Sequence, residues 1–135
     1  MGTVNIKVSN LLHYSPQQHL LFRKYTEFCV RALHIRGTYT GIIVFDKLSH
    51  GIQTTAVSSH LKKLFLINGK GRAFSDVLRS IAHELVHFMQ HERGDVIDYT
   101  DLHFSADHED EANAMAGQLL NAFADVMGYE EIYGG

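Results

Sequence analysis

His83-Glu84-Leu85-Val86-His87 sets two imidazoles four residues apart, with a carboxylate next to the first. On an α-helix, positions i and i+4 share a face one turn apart. Two rings so placed can grip one divalent metal ion. Glu84 then stands where it can take a proton from a metal-bound water, the arrangement used in metal-assisted hydrolysis. No other stretch of the chain points to a specific reaction. The 135 residues include 10 His, so accidental His pairs come more easily than usual and the surroundings must carry the reading.

A catalytic zinc site usually takes three protein ligands and keeps a fourth position open for water. In the metzincin pattern the third ligand is a His ten residues after the first; here that position holds Arg93, which excludes the pattern. The other common solution is a Glu from a following helix. His108-Glu109-Asp110-Glu111-Ala112-Asn113 offers two. Glu111 is rotated by about 200° from Glu109 at 3.6 residues per turn, so both cannot face one metal. On the residues alone, Glu109, Glu111, His108 and His103 stay open as third ligand. His91 extends the i+4 series but falls a turn past the motif, and reads as a solvated residue near the helix end.

The elements that must position these groups follow from apolar spacing. Val4, Ile6 and Val8 alternate as a short strand. Ser15-Pro16 starts a helix whose apolar residues, from Leu20 and Leu21 to Ala32 and Leu33, run to an end near Gly37. Tyr39 to Phe45 reads as a buried strand, Ile52 to Ser58 as a more polar one and Leu64 to Ile67 as a third, closed by Asn68-Gly69. A long helix is expected from Ser75 to Arg93, capped by Ser75 or Asp76 and stopped by Gly94, with an apolar stripe of Val77, Leu78, Ile81, Leu85 and Met89. A polar loop then leads to a last helix from Asp107 to Met127, with acids in its first turn and a stripe of Ala112, Met115, Ala116, Leu119, Phe123 and Val126. This order gives an α+β layout in packed layers, with three to four strands.

Length predicts one domain spanning 1–135. With 45% hydrophobic and 20% charged residues the chain has ordinary globular composition, and a net charge of −3 offers no basic patch for nucleic acid. One cysteine, Cys29, excludes an internal disulfide framework and fits a reducing compartment; set in an apolar helix, it reads as a buried small hydrophobe. No apolar run approaches a membrane span, and the N-terminus lacks a leader-like stretch. The expectation is a cytoplasmic protein without membrane or nucleic-acid partners.

Beyond these physical signals, H-E-x-x-H followed by a helix carrying Glu109-x-x-Ala112-Asn113-x-x-Ala116 resembles the gluzincin metallopeptidases. It is most similar to the small ImmA/IrrE-type peptidases, over roughly 75–120. The resemblance implies a zincin-like fold, with the C-terminal helix carrying the third ligand. It selects Glu109, four residues before the Asn, to complete a Zn²⁺ site with His83 and His87. It implies hydrolysis of a peptide or protein substrate with Glu84 as general base. Tyr99 and His103, in the loop joining the two ligand-bearing helices, are candidate donors to the oxyanion. Ile52 to Ser58 is the expected edge strand for substrate. The competing reading is a non-catalytic zinc-binding module or a regulatory protein built on the same ligands.

Overall fold

Alternation places Val4, Ile6 and Val8 on one face of strand β1 (Thr3–Val8), half-buried, and leaves Thr3, Asn5 and Lys7 exposed. A computed structural model of the protein describes residues 1–45, 56–59, 62–95 and 106–134. A 3-10 turn (Leu11–His13) precedes helix α1 (Pro16–Leu33). Ser15 and Gln18 cap each other's backbone N–H at its start, and Pro16 fills the first turn, where no N–H is needed.

The expected end of α1 near Gly37 falls earlier, at Leu33. His34 turns left-handed, with φ 53°, and Ile35 N–H bonds back to the Val30 carbonyl. Ile35 and Val30 are both buried, and burial of Ile35 offsets the cost of a non-glycine residue at positive φ.

The chain then enters β2 (Thr38–Val44), followed by β3 (Ala56–Ser59) and β4 (Leu64–Asn68). The sheet order is β1-β2-β4-β3. β1/β2 and β2/β4 are parallel and β3/β4 antiparallel, so β3 forms one edge. Of the expected strand Ile52 to Ser58, residues 52–55 lie outside the described region. α1 makes the crossover that parallel β1 and β2 require. Gly41 lies opposite Phe65, and any side chain there would run into the Phe65 ring.

Two helices cover the face bearing Tyr39, Ile43, Phe65 and Ile67. These are α1 and α2 (Phe74–Glu92), with α3 (Ala106–Met127) packed against α2. The Phe88 ring of α2 stacks on Tyr39 at 4.1 Å. Neither Ser75 nor Asp76 caps α2: the N-cap is Ala73, which makes no side-chain bond. Arg72 secures this end instead, donating to the carbonyls of Asn68 and Asp76 and to Ser80 Oγ. Gly94, at φ 89°, ends the helix as expected. A short α4 (Tyr129–Tyr133), anchored by buried Ile132, was not expected. Val126, expected in the core, is exposed, while Leu120 and Ala124 are buried on α3. Cys29 is fully buried, as expected of a small hydrophobe. The architecture is α+β, with a small mixed four-stranded sheet in a zincin-like arrangement. No helix among the described residues is long and apolar enough to cross a membrane.

The two ends of this frame meet at Glu92. Its carboxylate accepts from Arg36 N–H at 2.7 Å, Gly37 N–H at 2.9 Å and Tyr39 OH at 2.5 Å, tying the last turn of α2 to the start of β2. Burial pushes the carboxyl pKa up, but these hydrogen bonds outweigh it and hold the group below its ordinary value. The stabilisation is therefore complete above the unfolded pKa, near 4.5, and is lost as pH falls through the lower native value. Glu92→Ala strands three donors and is expected to cost about 2–3 kcal/mol at neutral pH. Denaturant unfolding of both proteins checks this; the gap should narrow in acid.

Candidate metal centre

Helix α2 runs between the sheet on one side and α3 on the other, so it is buried almost all round from Ile81 to Gln90. An apolar stripe would predict one wet face; here polar side chains are enclosed as well. Glu84 is 5% exposed, His87 2% and Gln90 0%, while His83 is half-buried. Buried polar groups persist only where partners satisfy them, and each of these has one.

His83 and His87 lie on one face, as the i, i+4 spacing requires, with their Nε2 atoms 3.0 Å apart. Glu109, in the first turn of α3, reaches across from the neighbouring helix. Its two carboxylate oxygens lie 3.2 Å from His83 Nε2 and 3.2 Å from His87 Nε2. Among the described residues, these three side chains offer ligand atoms that all lie within 4.8 Å of one another. A tetrahedral ion about 2.0–2.1 Å from each nitrogen would set them roughly 3.3 Å apart, close to the spacing present. The donor set of two imidazoles and one carboxylate suits Zn²⁺ and related first-row ions, so the residues fit a metal.

Electrostatics favour the same use. Burial lowers the His87 pKa and His83 lowers it further, while the Gln90 bond and the Glu109 carboxylate oppose; the net shift is downward. The neutral ring is the metal-binding form. Burial pushes the Glu84 carboxyl up to about 7, with a Ser58 hydrogen bond opposing and the Glu109 charge adding. That bond also links Glu84 to β3, so the sheet edge runs beside the cluster.

Glu111 faces elsewhere, as the rotation between the two acids requires. It accepts from Gln90 at 2.9 Å and from Arg93 at 2.8 and 3.2 Å. Arg93 also bonds Asp95, and Asp95 meets His108 at 3.1 Å. His91 is half-buried and outside the converging group, and Asn113 is exposed on α3. Tyr99 and His103 lie outside the described residues.

Gln90 is the site residue that sequence reasoning missed. It accepts from His87 Nδ1 at 2.9 Å and donates to the His108 carbonyl and to Glu111, each at 2.9 Å. The available signal was a glutamine three residues after His87, on the same helix face. A groove of about 560 Å³ between β1 and α1 is lined by Val4, Ile6, His19, Phe22 and Val30 among others, and by none of His83, Glu84, His87, Gln90, Glu109 and Glu111, so it is separate from this cluster.

A family model described as the IrrE N-terminal-like domain, Peptidase M78, matches residues 50–132. The match spans both α2 and α3, and with them the whole cluster. No curated protein and no solved structure gives a significant match to the chain.

Proposed function

As the chain belongs to the IrrE N-terminal-like family of peptidase domains, we propose that it is a zinc-dependent peptidase holding its metal through His83, His87 and Glu109. The observation that carries this reading is the meeting of those three donors beside a buried carboxylate, Glu84, on a helix packed under a sheet edge. A zinc ion here would polarise a substrate carbonyl and bring the pKa of a water in its open position toward neutrality.

The protein's own residues supply the rest. Glu84 is the general base: held near neutrality by burial, its carboxylate takes the proton of the attacking water and returns it to the leaving amine. Ser58 steadies Glu84 from β3. A peptide would lie along β3 as an added strand, its backbone bonding to that edge. Tyr99 and His103, between the two helices in sequence, are the proposed donors to the oxyanion.

The test is cleavage of a broad peptide library and of unfolded proteins by zinc-loaded protein. Cleavage should stop on chelation and return with added zinc. A fully zinc-loaded protein that hydrolyses nothing would instead be a metal-stabilised binding or regulatory module.

A further inference from the structure

Gln90 can be oriented without ambiguity. Its amide nitrogen faces two acceptors, the His108 carbonyl and the Glu111 carboxylate. Only the NH₂ end can donate to both, so the amide oxygen must be the end that faces His87 Nδ1 at 2.9 Å. An amide oxygen accepts only. His87 therefore carries its proton on Nδ1, and its Nε2 lone pair points toward His83 and Glu109.

The same side chain reaches α3. Glu111, one acceptor of Gln90, is gripped by Arg93 at the end of α2. Arg93 bonds Asp95, and Asp95 meets His108, whose carbonyl is the other acceptor of Gln90. The ring of contacts closes on itself. His108 and Glu111 flank Glu109 in the first two turns of α3, so a clamp on them fixes where the Glu109 carboxylate sits.

We infer that Gln90, with Glu111 and Arg93, is a positioning lock for the metal centre: it sets the His87 tautomer and holds the α3 turn so that Glu109 completes the site. The lock rests on the proposed zinc reading, and these three residues would act without touching the metal.

Zinc affinity by competition with a chelator, together with melting temperature in chelator and in saturating zinc, tests this on the full chain. Gln90→Leu keeps the volume but removes the amide oxygen that meets His87 Nδ1. Zinc affinity should fall roughly 10–100-fold, the usual effect of losing a group that orients a metal-binding His. Arg93→Met, at a half-exposed position outside the core, should cut affinity several-fold and keeps the test open if Gln90→Leu does not fold. A purely structural role would lower both melting temperatures equally; a positioning role shrinks the increment that zinc adds. Variants that bind zinc as tightly as wild type overturn the lock alone. A wild type that takes up no zinc overturns the metal reading, and the lock with it.

Discussion

Glu84→Gln should lower peptide turnover roughly 10³-fold, the contribution expected of a positioned general base, while leaving zinc binding intact. Glutamine keeps the size of the side chain and its ability to bond Ser58, but cannot take a proton. The same change should make the metal-free protein more stable. With burial raising the native pKa to about 7 from 4.5 in the unfolded chain, the native state binds an extra proton between those values. Stability therefore falls as pH rises through that window, and the cost of ionising the buried acid is complete above it, at roughly 3 kcal/mol. Unfolding in chelator at about pH 8 should show the Gln variant ahead, with the advantage gone near pH 4. Opposite signs on activity and stability are the mark of a strained functional group. A variant that lost both, or that kept turnover, would remove Glu84 from the chemistry.

Glu109→Ala is expected to weaken zinc binding by at least ~100-fold, since two imidazoles alone make an incomplete site. The fold should tolerate the change well, because the Glu109 side chain is 40% exposed and its partners are the two rings. Zinc should then raise the melting temperature of wild type in proportion to the logarithm of its concentration over Kd, and barely shift that of Glu109→Ala. Glu111→Ala makes the informative contrast. It removes a carboxylate two residues away that faces Gln90 and Arg93. It should weaken zinc binding, yet less than loss of Glu109 itself.

Much of this arrangement is legible in the amino-acid sequence because it follows from period. Alternation marks β1, β-branched and apolar runs mark β2 and β4, and the i, i+4 rule puts His83 and His87 on one face before any fold is known. The same rule separates Glu109 from Glu111, though spacing alone cannot say which of them turns toward the metal. That depends on how α3 lies against α2, a tertiary fact. Gln90 escaped for a related reason. A polar residue in a helix reads as solvated until packing from both sides encloses it, and only then does its hydrogen-bond partner become its function. The end of α1 and the start of α2 differ from expectation where other nearby residues take over from the cap signals in the sequence: Ile35 burial at one, the Arg72 guanidinium at the other. Helix α4 has five residues and one buried anchor, too little to show a period.

The central claim is that His83, His87 and Glu109 jointly bind one zinc ion. It is tested most directly by mass-spectrometric metal content of wild type, His83→Ala and Glu109→Ala after equal exposure to zinc and desalting. The account predicts about one zinc per wild-type chain and little in either variant. Wild-type protein without metal, or Glu109→Ala with a full complement, would contradict it.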